Sequence, residues 1–406
     1  MKKIFLLTAL IVCFSSSLLS QEKENNFGIK LKGYVKYEMI YDSRQQISSR
    51  DEAVLLFPAP VDMGEGYQDI NAGSQFNFLS LTSRLKGIIT GPKAFGAETS
   101  GMISADFAGT DNEKVGLIRL RHAFLKLKWE HSTLLAGKYW HPLFSDEVFP
   151  HVLAFGAAIP CYMLNRAPQL TYKVHAKGFS LALSASAQHD FKSRGPEGKS
   201  AQYLINSGAP ELTFRAEYKN EHLLLGAAFG LWKIKPTLTD TAGRATDVMV
   251  NGHMLNTFAQ FTFDGFVLRG GYIVGENISQ LNMFGGYGVT EIDEYGIISY
   301  APTKGSSVWA EMAVTIDNWC MGLFGGYTRN HGSEEKITGP VYALAPNIAN
   351  YLRISPRLTY KSGNVQVGLE GVYHSAAYGT PDEYYVVQNA KGVDAFRLMT
   401  CVAYYF

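Results

Sequence analysis

The sequence lacks the features expected of a helical membrane protein, a nucleic-acid-binding protein or a metalloprotein. Beyond residue 20 it has no run of about 18 consecutive apolar residues, so no segment there can cross a membrane as a helix. Its 37 Lys and Arg residues balance 36 Asp and Glu residues, and a near-neutral chain gives no electrostatic reason to expect nucleic acid as a partner. Cys161, Cys320 and Cys401 lie far apart, without metal-ligand spacing. We therefore expect neither a metal nor a cofactor.

The first 20 residues are typical of a secretory signal peptide. A basic start, Lys2 and Lys3, precedes an apolar centre and a run of small residues. We expect cleavage after Ser20, with a cut after Ser17 as the alternative, and a mature chain of residues 21–406. The protein is therefore predicted to leave the cytoplasm.

Aromatic residues and glycine are abundant, although the chain is neither apolar nor polar on average. It contains 23 Tyr, 24 Phe and 40 Gly, and its mean hydropathy is −0.05. Apolar and polar residues that alternate along strands cancel in such an average, as they do in outer-membrane β-barrels. Together with a signal peptide, this composition favours a β-barrel in the outer membrane of a Gram-negative bacterium.

Alternating faces recur along the chain, most clearly at its two ends. In residues 394–406, every second residue from Phe396 to Phe406 is apolar or aromatic except Thr400. Residues 27–42 alternate in the same way, with lysines on one face. A period of two indicates β-strands. A final aromatic strand suits the closure of a membrane barrel, and the last strand of a soluble sandwich is the alternative.

Continued along the chain, this alternation predicts about 16 strands joined in turn by long loops and tight turns. Asp264 and Gly265 form a two-residue hairpin signal between two strands. Residues 43–73 and 377–392 are examples of the long loops that follow odd-numbered strands. A soluble sandwich or propeller has no reason to keep this alternation. The predicted fold class is therefore all-β, a transmembrane antiparallel up-and-down barrel with long external loops and short periplasmic turns.

The predicted lumen face carries more basic than acidic side chains. In the strand at 115–129, Ile118, Leu120 and Phe124 mark the lipid face. Fixed cations in an aqueous pore concentrate anions, and a guanidinium group suits carboxylate and phosphate. The alternative is that the arginines pair with lumen acids and only stabilise the wall. The basic residues are Lys30, Lys32, Lys36, Arg84, Lys86, Arg119, Arg121, Arg215, Arg269, Arg353, Arg357 and Arg397, and the acidic ones are Glu38, Glu98, Asp106, Glu211, Glu217, Glu311 and Glu370.

The third long loop, 140–165, is unusually apolar and aromatic, with Asp146 and Glu147 at its middle. We expect it to fold into the lumen as a constriction loop. Its two acids would then face the arginines of the second and fourth strands, and the field between them would orient dipolar solutes. An exposed interaction loop, or packing on a neighbouring protomer, is the alternative.

Four segments in order resemble the DcaP-like porins and their Bacteroidetes relatives. They are GPKAFGAETSGMISADFAG at 91–109, LIRLRHAFLKLKW at 117–129, LLAGKYWHPLF at 134–144 and NRAPQLTY at 165–172. The resemblance implies a 16-stranded homotrimeric channel for small anionic solutes such as dicarboxylates, with Arg119 and Arg121 as constriction arginines. The heptad segment that some members carry is absent ahead of the first strand, so trimer assembly would rest on the barrel wall.

The predicted function is the diffusion of small hydrophilic, anionic solutes through a basic lumen, with outer-membrane lipid and a homotrimer as the expected surroundings. A specific channel for sugars or peptides is the alternative, followed by a barrel enzyme or an adhesin. We expect no enzyme, because no GxSxG or paired Ser/His motif accompanies the histidines. The predicted pore-lining residues are Arg84, Lys86, Arg119, Arg121, Asp146, Glu147, Arg215, Arg269, Arg353, Arg357 and Arg397.

Overall fold

The structure, a computed structural model, describes residues 27–406, so the predicted signal peptide lies outside the described residues. Sixteen antiparallel strands form one wall, because two of the 17 segments of the main sheet continue each other and pair with the same neighbour. In chain order the wall strands are β1 (Gly28–Asp42), β2 (Gln75–Leu79 and Arg84–Ala94), β3 (Ala97–Asp106), β4 (Arg119–Lys128), β5 (Ser132–Trp140), β6 (Arg166–Ala176), β7 (Phe179–Ser186), β8 (Glu211–Lys219), β9 (Leu223–Ile234), β10 (Val250–Phe263), β11 (Phe266–Glu276), β12 (Lys304–Ile316), β13 (Trp319–Gly332), β14 (Ile348–Ser362), β15 (Val365–Pro381) and β16 (Val387–Tyr405).

The wall closes between its first and last strands. β16 pairs antiparallel with β1 from Tyr34↔Tyr405 to Asp42↔Arg397, so neither strand is left as an open edge. Connections after even-numbered strands are two or three residues long, whereas most connections after odd-numbered strands are long. The predicted fold class is confirmed. Within residues 27–406, no helix has the length and apolarity needed to cross a membrane.

Apolar side chains cover the outward face of the wall. Leu181 and Leu183 of β7, Leu323 of β13 and Leu398 of β16 are all exposed. Their neighbours in sequence point inward, because successive side chains of a strand alternate between its faces. Such an outward face is suited to lipid.

A bulge in β4 changes which of its residues face the lumen. Ala105 of β3 pairs with Leu120 and Ser104 pairs with His122, so Arg121 is the additional residue on β4. Bulges re-aim the side chains that follow them. Phe124, predicted on the lipid face, therefore points inward, where its ring lies 4.9 Å from that of Tyr139.

The extent predicted for the last loop, 377–392, is wrong. β15 continues to Pro381 and β16 begins at Val387, so the connecting loop spans only 382–386. Ladder pairing resumes at Thr380 after a register shift. The hairpin extends past the point where β16 stops pairing with β1. Outside the membrane, strands need not alternate apolar and polar residues. The polar sequence there therefore gave no indication of strands.

The third loop, residues 141–165 between β5 and β6, lies inside the barrel and forms part of an apolar core. Leu143, Phe144, Val148 and Tyr162 are fully buried. This core occupies the side of the lumen that β9 to β14 surround. The inward side chains that pack there include Trp232, Met254, Phe258, Trp309, Phe324 and Tyr351.

Candidate functional site: a basic cavity in the lumen

A cavity of about 650 Å³ lies between the third loop and the inward faces of β1, β2, β4, β6, β13 and β14. It reaches from Asp317 in a short turn to Arg50 in the long β1–β2 connection, and therefore towards both ends of the barrel. We call it the basic cavity, because eight basic side chains line it and Asp317 is its one acidic lining residue among those described. The basic residues are Lys36, Arg50, Arg84, Arg119, Arg121, Arg166, Arg357 and Lys361.

Arg119 and Arg121 share one buried carboxylate, that of Asp106. Nε and Nη2 of Arg119 donate to Asp106 at 3.0 and 2.7 Å, and Nη1 of Arg121 donates to Oδ2 at 2.5 Å. Arg119 lies directly opposite Asp106 in the ladder, and the bulge brings the second guanidinium group to the same carboxylate. The two guanidinium groups and the one carboxylate together carry a net charge of +1.

Arg84 and Lys86 have no carboxylate partner among residues 27–406. Arg84 lies over the Tyr34 ring, 5.4 Å from its centre. Lys86 follows two residues later on the same face and pairs across the ladder with Lys32 of β1, so a third cation lies nearby. These predicted residues therefore contribute unneutralised charge to the lumen.

Arg50 and Lys361 also line the basic cavity, although the sequence did not single them out. Burial, and after it the positive charge of Arg119, lowers the pKa of Arg50 to about 10, so its guanidinium stays charged at neutral pH. Arg50 lies in a loop, and Lys361 lies just past the predicted end of its strand. At such positions a period of two does not predict whether a side chain points inward or outward.

Strand alternation predicts the wrong face for Arg166, which lines the basic cavity. Counting back in twos from Lys173 leaves Arg166 on the lipid side, yet it is fully buried and lines the basic cavity. It pairs across the ladder with Trp140. Its guanidinium lies 5.2 Å from the ring centres of both Trp140 and Phe191. The only feature of the sequence that could have drawn attention to Arg166 was its position at the start of the NRAPQLTY segment.

Asp146 and Glu147 do not lie opposite the arginines of β2 and β4, contrary to the prediction. With Arg215 they line a separate cavity of about 290 Å³. The Tyr139 hydroxyl donates to Asp146 at 2.5 Å, and Glu147 pairs with Lys219. The buried apolar residues that flank both acids hold them on that side of the barrel. The predicted field between opposite charges is therefore missing from the basic cavity.

Arg353 pairs with a glutamate that also binds the third loop. Its Nη2 lies 3.0 Å from Oε1 of Glu370. Oε2 of Glu370 accepts the backbone N–H groups of Leu153 and, at 3.3 Å, Ala154. Neither Arg353 nor Glu370 lines the basic cavity, so this arginine stabilises the loop instead of facing solute.

Arg269 and Arg357 flank a second glutamate of the same kind. Glu311 lies 2.7 Å from Arg357 and 4.0 Å from Arg269, and it accepts the backbone N–H of His151 at 2.7 Å. Only Arg357 of the two arginines reaches the basic cavity. The third loop is therefore bound to β12 and β15 through two glutamates whose ion pairs also neutralise predicted pore cations.

Arg215 and Arg397 are neutralised as well. Nε and Nη2 of Arg215 donate to Oε1 of Glu217 at 2.8 and 2.6 Å. Nε and Nη2 of Arg397 donate to the two carboxylate oxygens of Asp42 at 2.7 and 2.9 Å, and Arg397 is completely buried. The prediction that Arg397 faces the pore is wrong; it joins the first and last strands at the closure.

No group of three or more His, Cys, Asp or Glu side chains is placed to hold a metal ion in the part of the chain that the structure describes. Cys161 and Cys401 are buried free thiols, and Cys320 is partly buried.

Glu370→Gln is expected to loosen the third loop. The substitution keeps an acceptor but removes the charge that strengthens three hydrogen bonds, and it leaves Arg353 unpaired. Hydrogen bonds to charged groups contribute about 1.5–3 kcal/mol each, so the free energy of unfolding in urea should fall by about that amount. Single-channel recordings should show larger open-state current fluctuations. Glu98→Gln, on a short-turn end, is the matched control; equal noise in both variants would contradict a tethering role.

No protein-family model matches the chain, and a comparison with curated proteins found no match. Among solved structures, it is similar to the outer membrane channel DcaP of Acinetobacter baumannii, with a TM-score of 0.68 and 17% identity over 96% of this chain and 100% of that one. The chain has the fold of an outer-membrane porin. It is also similar to an anion-selective porin from Comamonas acidovorans (TM-score 0.58, 10% identity, 94% of this chain and 100% of that one). OmpT of Vibrio cholerae, an outer membrane protein, follows with a TM-score of 0.55 and 11% identity over 95% of this chain and 100% of that one.

The porin fold spans nearly the whole chain, well beyond the segments that carried the resemblance in sequence. The predicted resemblance to DcaP-like porins is confirmed at the level of the fold. Porin barrels are proteins of the Gram-negative outer membrane, in agreement with the predicted location. At these identities the similarity concerns the fold, and the solute must be argued from the lumen itself.

Proposed function

We propose that the chain is a porin through which small hydrophilic anions diffuse. The observation that carries this proposal is the eight-to-one excess of basic over acidic side chains around the basic cavity. Pairing with Asp106, Glu38 and Glu311 neutralises only part of that charge. A narrow passage with a net positive wall concentrates anions and repels cations. The Comamonas porin of similar fold is described as anion-selective, which is in keeping with this proposal.

The third loop serves, in this proposal, as the constriction. Its segment 149–157 supplies one wall of the basic cavity, and the arginines of β2 and β4 supply the other. Phe155 lies 5.9 Å from the guanidinium groups of both Arg119 and Arg121. Solutes would pass between an apolar loop surface and a cationic wall, so small anions with an apolar part would fit best.

In planar bilayers with a KCl gradient, the protein is expected to give a reversal potential of the sign that indicates chloride preference. Screening shortens the reach of fixed charge from about 10 Å at 0.1 M salt to about 3 Å at 1 M. The preference should therefore weaken as salt rises. A cation-preferring potential would overturn the proposal, and zero conductance would favour a plugged barrel or an enzyme.

Homotrimer formation is part of the same proposal. One similar structure, OmpT of Vibrio cholerae refolded in vitro, is described as a trimer (TM-score 0.57, 11% identity, 94% of this chain and 99% of that one). Native mass measurement in detergent should give three copies of the chain. A monomer that conducts with full selectivity would separate the channel function from assembly.

A sugar channel is less well supported than an anion channel. Trp309 and Phe324, two aromatic residues on the lumen face, are buried beneath the third loop and do not form a ladder for sugar rings. Liposome-swelling rates for neutral sugars should therefore follow solute size alone.

A further inference from the structure

Several buried N–H donors in and beside the long-loop half of the basic cavity lack an acceptor. Among residues 27–406 these are Nε of Arg84, Nη1 of Arg119, Nε of Arg121, Nε2 of His122 and Nε of Arg166. Leaving a buried donor without an acceptor costs about 1–3 kcal/mol, and more when the donor is charged. Five such donors in one region require a common physical explanation.

The donors surround two aromatic rings. Trp140 lies 6.0 Å from the guanidinium of Arg121, 5.2 Å from that of Arg166 and 5.3 Å from the ring centre of His122. Phe155 lies 5.9 Å from both Arg119 and Arg121. One shared pair of rings therefore places the donors of β4 and β6 around a single region of the cavity.

Arg166, like Arg84, lies against an aromatic face and not against a carboxylate. It lies between Trp140 and Phe191 and has no acidic partner among the described residues. Stacking fixes the plane of a guanidinium group without neutralising it. The whole charge of Arg166 is therefore available to a solute in the cavity.

The His122 ring lies beside these cations. The Ser104 hydroxyl lies 2.9 Å from Nδ1 of His122. In the tautomer where Ser104 donates to Nδ1, the proton of the ring is on Nε2, the nitrogen without a partner. The bulge at Arg121 is what turns His122 inward.

We propose that these residues form a binding site for a tetrahedral oxyanion with two negative charges, such as sulfate or the phosphate group of a solute. This inference deepens, and rests on, the proposed anion channel. A carboxylate accepts hydrogen bonds within its plane, whereas a tetrahedral oxyanion accepts them from every direction. Donors that approach from three separate strands, β2, β4 and β6, suit the tetrahedral ion. The bound anion also offsets the excess charge of Arg84 and Arg166.

The test measures chloride current through the full-length protein in planar bilayers while sulfate or succinate, matched dianions, is added at constant ionic strength. Sulfate is expected to reduce the current with saturation, at a half-blocking concentration at least about tenfold below that of succinate, because the planar ion forgoes charged hydrogen bonds. Equal or stronger block by succinate would overturn the tetrahedral site. An absence of block by either ion, with chloride preference intact, would overturn the site while leaving the proposed channel standing.

Arg166→Gln should raise the half-blocking sulfate concentration at least about tenfold, as loss of one charged hydrogen bond predicts. Arg166→Lys keeps the charge without the guanidinium plane and should recover block only in part. Arg329→Gln, an exposed arginine outside the cavity, is the matched control and should behave as wild type. If Arg166→Gln does not fold, as judged by heat-modifiable gel mobility, Arg84→Gln tests the same site. Wild-type sensitivity in either substituted protein would contradict the assignment.

Discussion

Replacing Arg119 and Arg121 together by alanine is expected to abolish much of the anion preference and to destabilise the barrel. The double variant leaves the Asp106 carboxylate buried without a cation, so the local charge changes from positive to negative. A buried charge that loses its partners costs about 3–5 kcal/mol. Reversal potentials in a KCl gradient and unfolding in urea measure the two effects.

A third substitution separates selectivity from stability. Adding Asp106→Asn removes the uncompensated charge, so the triple variant should regain most of the lost free energy of unfolding. Its anion preference should lie between those of wild type and the double variant, because the net loss is one positive charge. A wild-type reversal potential in the double variant would mean that Arg119 and Arg121 serve only the wall.

Arg397→Gln is expected to weaken closure of the barrel with little effect on ion preference. Arg397 and Asp42 face each other across the β16–β1 ladder, and both are buried. Loss of the cation leaves Asp42 unpaired at the seam, again at a cost of about 3–5 kcal/mol. The variant should unfold at lower urea concentration and show a larger heat-sensitive fraction on gels, while its reversal potential stays near wild type.

The matched double variant Arg397→Gln with Asp42→Asn should recover part of that loss, since no charge is left unpaired. This recovery would assign the effect to the ion pair and not to the changed shape of the side chain. A strong shift in reversal potential without a loss of stability would instead support the sequence-based view that Arg397 faces the pore.

The sequence was sufficient to predict the strands of the wall, because each barrel strand follows one local rule. Lipid outside and water or packed polar residues inside impose a period of two, and residues 27–42 and 394–406 show it without reference to any other segment. Short turns such as Asp264 and Gly265 are equally local. The rule fails where it no longer applies, beyond the membrane in the 377–392 hairpin and at the β4 bulge that turns Phe124 inward.

The charges of the lumen illustrate the limit of the same rule. Period two placed Arg119, Arg353 and Arg397 on the inner face correctly, but it could not say which carboxylate each would meet. Asp106, Glu370 and Asp42 are their partners, and only the strand register and the path of the third loop bring them together. Most of the predicted pore cations are consequently structural.

By itself, the sequence determined that this chain forms a closed barrel of about 16 strands with an apolar outer face and a basic inner one, because these properties follow from alternation alone. The tertiary structure decided which charges remain free. Arg84 and Arg166 keep theirs because no carboxylate lies within reach, and Asp146 and Glu147 lie in another cavity because buried neighbours hold them there. Electrostatic partnership depends on distance in space, and distances between strands far apart in the chain are set only when the barrel closes and the third loop packs inside it.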